Sequence, residues 1–260
     1  MLLSLPFIAV AAVIAIAIED LLGTFAPNGL RSALVNSVSG VVQMVFMYLS
    51  GPVVAPVLVW LFGTIDSPPI HLRSSGWMLI PSTIVLMSSI DLMDYSFHRL
   101  QHKVSWLWAM HSFHHSDETI NPTTGYRHYW LDRPLIAFFY FPVGLLFKPD
   151  PAVVILASII GWLLPLYQHL NMKIGFGKLS WLFISPQFHR IHHSLDSRHY
   201  DKNFAGFTPL WDVLFGTYFE PDKELYPATG IAEGEPDGVV SALIWPIRSI
   251  TRSKGRVVPT

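Results

Sequence analysis

The chain contains no cysteine. That excludes disulfides, thiolate zinc sites and any iron–sulfur cluster ligated by its own residues. Charge is scarce too: Asp, Glu, Lys and Arg make up 13% of the 260 residues, about half the share in a soluble domain. With a net charge of −1, there is no broad basic field to attract nucleic acid. The chain has no glycine-rich dinucleotide fingerprint, no haem-attachment motif, and no HExxH pair that would give a zinc site its general base. No polar linker, low-complexity tract or repeat of fixed period divides residues 1–260, which read as one membrane-embedded domain.

Apolar sequence is abundant instead, at 51% of residues. Residues 2–18 form an apolar run closed by Glu19 and Asp20. Ala15-Ile16-Ala17 looks like a signal-peptide cleavage site, but no basic residue precedes the run, so it reads as a membrane helix. A second run, 35–62, carries Gly51-Pro52 and Pro56, which predict a kink. A third, 77–97, holds Asp91 and Asp94, charges that are costly in hydrocarbon and usually functional. Residues 134–147 and 151–168, split by Lys148-Pro149-Asp150, read as a hairpin whose first arm is short for a full crossing. The expected fold is an all-α integral membrane protein with four to five transmembrane or hairpin helices and a histidine-rich helical cap.

Counting crossings sets the topology. Three runs precede His98 and a hairpin separates His115 from His169, so the histidine groups share one side. Of 17 Lys and Arg residues, only Arg73 and Lys148 fall in loops on the other side. The positive-inside rule then places the histidines in the cytoplasm and the N-terminus outside, across the cell inner membrane if the source is bacterial.

Eight of the 12 histidines fall into three groups: His98-x3-His102, His111-x2-His114-His115 and His189-x2-His192-His193. Residues i and i+4 share a helical face, so His98 and His102 can address one ion. Two HxxHH triplets beside an HxxxH are very improbable by chance. Imidazole alone leaves zinc, copper, nickel and iron open. Eight ligands are too many for one ion, since a structural zinc takes about four. They suit two neighbouring ions, and neutral nitrogen ligands leave an iron pair electron-poor, as a strong oxidant requires. The same spacing admits two zincs activating water in a hydrolase or isomerase. A metal carrier without catalysis is the third reading, disfavoured because the clusters lie at one interface rather than mid-membrane.

The order HxxxH, HxxHH, hairpin, HxxHH resembles the fatty acid hydroxylase superfamily, which includes sterol desaturases and C-4 sterol methyl oxidases. The resemblance covers residues 91–218 and includes Asp94-Tyr-Ser-Phe-His98-Arg, Asp201-Lys-Asn-Phe-Ala-Gly-Phe and Leu210-Trp-Asp-Val-Leu-Phe-Gly-Thr-Tyr218. It implies two iron ions (or zinc), dioxygen as co-substrate, and hydroxylation or desaturation of a fatty acyl, sterol or similar lipid. It also implies an external electron donor such as a reductase, ferredoxin or cytochrome. It adds His169, after the hairpin, and His128 as ligands, although Tyr129 stands where relatives often have proline. His199 reads as a loop histidine, and His71 lies on the opposite face. Asp94, one turn before His98, is expected to orient a ligand imidazole. Asn171 and Asn203 are expected around the ligands. Trp211, Asp212 and residues 215–217 are expected to pack the cap. Met93, Phe97, Leu164 and Tyr167, on the final turns of the helices delivering His98 and His169, are the expected walls of a lipid passage.

Overall fold

The computed structural model describes residues 4–63, 68–222 and 225–247. Nine α-helices are seen among them: α1 Ser4–Leu21, α2 Gly29–Phe62, α3 Leu79–Lys103, α4 Ser105–His115, α5 Asp132–Leu146, α6 Pro151–Gln168, α7 Pro186–His192, α8 Leu210–Phe215 and α9 Val239–Leu243. Three stretches, Gly29–Phe62, Gly76–Lys103 and Pro151–Gln168, are long and apolar enough to cross a membrane. Their outward faces carry Leu49, Trp60, Ile80, Ile84 and Ile155, all exposed. A water-soluble fold would bury such residues, so membrane association follows from the surface itself.

The expected number of membrane helices was four to five. The 15 residues of α5 rise only about 22 Å, short of a hydrocarbon core about 30 Å thick, in keeping with its reading as a hairpin arm. α1 is an 18-residue apolar helix that exposes Val10, Val13 and Ile14 and packs along α6. Pro52 and Pro56 do not end α2, which runs through both for 34 residues.

α3 lies at the centre and packs on α4, α5 and α6. Leu86 and Met87 from α3, Val143 from α5, and Val153 and Ala157 from α6 form one apolar cluster. The sequence reading contained no strand, yet β1 (Ile70–Leu72) and β2 (Phe147–Pro149) pair in parallel. This short ladder joins the loop before α3 to the loop before α6. His71 Nε2 and the Ser74 amide close it onto the Asp150 carboxylate at 2.8 and 2.7 Å. The histidine groups gather at the opposite end of α3.

The polar stripe Ser32, Asn36, Ser39 and Gln43 on α2 is buried against the segment after α4. There Asp117 accepts hydrogen bonds from Ser32 (2.8 Å), Asn36 (3.0 Å) and Thr124 (2.6 Å). Burial alone would raise the Asp117 pKa, but the Arg127 charge and these donors hold it below the ordinary carboxylate value. Arg127 is fully buried and donates to Phe113 O, Asn36 Oδ1 and Ser116 Oγ at 2.8, 3.0 and 2.7 Å. Gly125 packs on the α6 backbone, where a Cβ would overlap the Pro165 carbonyl. That close approach brings the turn before His128 against the helix that ends at His169.

Candidate metal centre

His98 and His102 stand on the last turns of α3. The chain breaks at Val104 and re-enters helix as α4, which presents His111, His114 and His115. Ser185 caps α7 by accepting from the Phe188 amide, and α7 ends at His192, with His193 as its C-cap.

These helices bring nine imidazoles into two groups. His98, His102, His111, His115 and His192 form group one; His114, His169, His189 and His193 form group two. Within each group the donor nitrogens lie within 4.8 Å of one another. Neither triplet serves a single group. Positions i and i+4 of each triplet fall together, as His111 with His115 and His189 with His193, while the i+3 residue points to the other group. The 3.6-residue period accounts for this: i+4 lies about 40° beyond i on the helix wheel, and i+3 about 60° short of it. The groups abut, with the His115 and His193 rings stacked at 4.4 Å and those of His111 and His114 5.3 Å apart.

The outer nitrogens fix the tautomers. Nδ1 of His98 meets the Phe204 carbonyl at 2.9 Å, and that of His192 the Lys202 carbonyl at 2.7 Å. In group two, Nδ1 of His114 meets the Arg127 carbonyl at 3.2 Å and that of His169 the Pro165 carbonyl at 2.8 Å. A carbonyl only accepts, so each of these Nδ1 atoms carries the hydrogen and Nε2 presents a lone pair inward. His98 and His192 therefore face each other, Nε2 to Nε2, across 2.9 Å with two bare lone pairs. Two such lone pairs repel unless a cation lies between them or beside both. His102 and His115 (3.1 Å), and His169 and His189 (3.1 Å), present the same inward convergence. This donor set fits a pair of metal ions.

Burial agrees with that reading. It pushes the pKa values of His111, His114, His115, His189, His192 and His193 well below the ordinary value, with the neighbouring imidazoles adding to the effect. Burial takes His169 down to about 4. All stay neutral at physiological pH, the form that binds metal.

One loop orients most of group one. Asp201 Oδ1 lies 3.3 Å from His102 Nδ1, Lys202 offers its carbonyl to His192, and Phe204 offers its own to His98. Asp201 and Asn203 both hold left-handed backbone, φ 57°. Three side chains secure the loop. Asn203 bonds the backbone of Phe188 and Phe219. Asp212 accepts from the Phe204 and Ala205 amides, both at 2.8 Å. Asp91, from inside α3, accepts from Gly206, Phe207 and Thr208 at 2.8, 2.8 and 3.0 Å. Asp91 and Asp212 thus act on the imidazoles through the loop. The sequence marked Asp91 as a costly and usually functional charge without naming its partner, and assigned Asp212 to packing. The run of amides each carboxylate captures lies more than a hundred residues from Asp91 and was not visible in either motif.

The remaining site residues fall as follows. His128 stacks on His114 at 4.5 Å, with its Nδ1 3.8 Å from Asp132, and the structure groups it with His111 and Asp132 rather than with either large group. Asp94 accepts from the Tyr140 hydroxyl, and the Phe204 carbonyl occupies the place at His98 Nδ1 where Asp94 was expected. Asn171 bonds Glu19, Thr24, Arg190 and Tyr226, tying the ends of α1 and α6 to α7 without meeting an imidazole. His199 donates to or accepts from Ser194 Oγ at 2.9 Å, apart from both groups.

A cavity of about 440 Å³ runs from the imidazoles between α3, α5 and α6. His98, His111, His114 and His169 stand at one end and Leu86, Met87, Val154 and Ala157 at the other. Phe97 and Leu164 line it. Met93 packs in the apolar cluster beside it, and the Tyr167 hydroxyl reaches the Ile184 carbonyl at 3.3 Å.

Comparison with known proteins matches residues 83–217 to the fatty acid hydroxylase family. The chain belongs to that family. It is 34% identical over 141 residues to alkylglycerol monooxygenase of Xenopus tropicalis and, likewise, of Homo sapiens, covering 54% of this chain and 31% of each relative. It is 29% identical over 177 residues to the ornithine lipid hydroxylase OlsE of Rhizobium tropici, covering 68% of this chain and 53% of that protein. The chain thus spans about a third to a half of the length of these relatives. No solved structure matches it. These relatives are named as a monooxygenase and a lipid hydroxylase.

Proposed function

We propose that this protein is a membrane di-iron oxygenase that hydroxylates a C–H bond of a fatty acyl, sterol or similar lipid. The observation that carries this reading is the pair of neutral, inward-facing imidazole groups at the head of an apolar cavity between membrane-spanning helices. The names of the relatives, alkylglycerol monooxygenase and ornithine lipid hydroxylase, support hydroxylation of lipid. His98, His102, His111, His115 and His192 would hold one ion, and His114, His169, His189 and His193 the other. His128 is the candidate for a further ligand beside His111. Bound there, iron supplies dioxygen activation and an oxidant strong enough to remove hydrogen from carbon.

The protein's own residues supply the rest. Leu86, Met87, Val154, Ala157 and Leu164 give the hydrocarbon a dry wall, so the lipid reaches the imidazoles without entering water, at about 25 cal/mol per Å² of apolar surface kept buried. The Phe204, Lys202, Arg127 and Pro165 carbonyls keep the imidazoles in one tautomer. The balance is lipid C–H plus dioxygen, two electrons and two protons, giving lipid C–OH and water. These 260 residues have neither cysteine nor a dinucleotide fingerprint, which supports an electron donor outside them, such as a reductase, ferredoxin or cytochrome.

The test is metal content and oxygen uptake of the purified protein, with lipid profiles of cells with and without the gene. About two irons per chain, and a lipid that gains one oxygen, are expected. Bound zinc with turnover independent of oxygen would replace this reading by the hydrolase. The basic asymmetry also supports a cytoplasmic metal centre. Cysteine labelling checks it cleanly: Ser75→Cys should react with an impermeant reagent from outside, and Ser197→Cys should not.

A further inference from the structure

The apolar surface extends beyond the spanning helices into the cap. The loop 176–183 exposes Leu179, Trp181 and Phe183, and α8 exposes Val213, Leu214 and Phe215, with Leu214 67% exposed. Thr208 Oγ1 donates to the Leu182 carbonyl at 3.2 Å and joins the two segments.

Three observations set the depth of this surface. Asp91, which holds the amides of residues 206–208, lies seven residues before His98, about 10 Å of helix rise into the apolar stretch Gly76–Lys103. The Phe215 ring stacks on that of Tyr95, also inside that stretch, at 5.3 Å. The one acidic side chain of α8, Asp212, turns inward to the Phe204 and Ala205 amides. Irregular backbone at membrane depth is stable only when its polar groups are satisfied by protein, and Asp91 and Asp212 do that for five consecutive amides. The outward side chains of α8 that remain, Val213, Leu214 and Phe215, are apolar.

We propose that α8 and the loop 176–183 lie in the headgroup–acyl boundary of the bilayer, as a membrane contact that does not span and that faces the metal-centre side. The occupant of this surface is lipid. Phe204, Gly206 and Phe207, which line the cavity, directly precede α8, so this contact holds one cavity wall at lipid depth. The inference does not depend on which metal is bound or on turnover.

The chain has no native cysteine, so a nitroxide can be attached singly at Leu214→Cys or Val213→Cys, with Ser197→Cys on the exposed polar edge as reference. With the protein in lipid nanodiscs, collision with oxygen and with a water-soluble nickel chelate is read by electron paramagnetic resonance. Oxygen collisions should dominate at 213 and 214, at a depth of about 5–10 Å. Nickel collisions should dominate at 197. Nickel dominance at 213 and 214 would overturn the proposal by placing α8 in water. Protection of both positions from both reagents, with dipolar broadening between labels, would overturn it in favour of an interface between copies.

Discussion

The two imidazole groups are neighbours, yet they are built in opposite ways. Group one takes the acceptors for His98, His102 and His192 from one short loop, residues 201–204, anchored from outside by Asp91 and Asp212. Group two takes its acceptors from two unrelated elements, the Arg127 and Pro165 carbonyls, and the Nδ1 atoms of His189 and His193 are buried without a hydrogen-bond partner, as is that of His111 in group one. His102 is 9% exposed at its side chain, whereas every member of group two is buried. One group is therefore adjusted by a single strap at the protein's edge. The other depends on the buried Asp117–Arg127 network and on close contact between the turn at Gly125 and α6. The difference teaches that damage should separate the two groups: loop changes should reach group one alone, and core changes group two together with the fold.

The largest effect is expected at the junction. His193 touches the rings of His114, His115, His169 and His189 and is fully buried. His193→Ala should abolish turnover and remove metal from both groups while the protein stays in the membrane, as read by iron per chain. Full retention of one ion would show that the groups are more independent than their contact implies.

Next is Arg127→Met. It strips the buried Asp117 carboxylate of its compensating charge and leaves the Asn36 amide oxygen without its donor, while the Phe113 carbonyl keeps only Ser116. Removing one partner of a buried charged pair typically costs about 3–5 kcal/mol. Unfolding of the detergent-solubilised protein should report a loss of that order, and group two should lose metal before group one. A loss under about 1 kcal/mol would mean that the network is not what supports His114.

How much of this was legible in the sequence follows from the same contrast. The HxxxH and HxxHH spacings are local, because three or four residues span one helical turn, and the eight motif histidines could be picked out from spacing alone. The apolar runs likewise marked the three spanning helices. The partition of each triplet between two groups depends on how α4 and α7 face each other, a tertiary fact that no spacing contains. The acceptors were also hidden: they are backbone carbonyls, which every residue possesses. Asp91 was marked as a functional charge without a partner and Asp212 as a packing residue, because the amides they bind carry no side-chain signature. Arg127 sits beside the flagged His128 and was passed over, since an arginine in a polar stretch reads as exposed until its partners on α2 are seen.

Cutting the strap's anchors should sharpen the comparison. Asp212→Ala frees the Phe204 and Ala205 amides and lets the Phe204 carbonyl leave His98. Loss of such an outer partner generally lowers metal affinity by about 10–100-fold. Metal titration should show one weakened ion and one unchanged. Equal weakening of both would mean that the loop supports the whole centre.

The smallest effect is expected at Asp201, and it separates charge from backbone. Its carboxylate is 59% exposed and 3.3 Å from His102 Nδ1, so water screens most of its field. The carboxylate pKa is held below its ordinary value, first by His102 itself, so it is ionised at neutral pH. Asp201→Asn removes the charge, keeps an oxygen to accept from Nδ1, and tolerates the left-handed φ of 57° as well as aspartate does. The affinity of group one should then fall only a few-fold, on the order of the 0.2–1 kcal/mol of an exposed pair. Asp201→Ala removes the acceptor and adds backbone strain, so it should weaken group one further. If the Asn variant loses as much as Asp212→Ala does, the charge on Asp201 tunes the ion directly, and the strap is more than a holder of carbonyls.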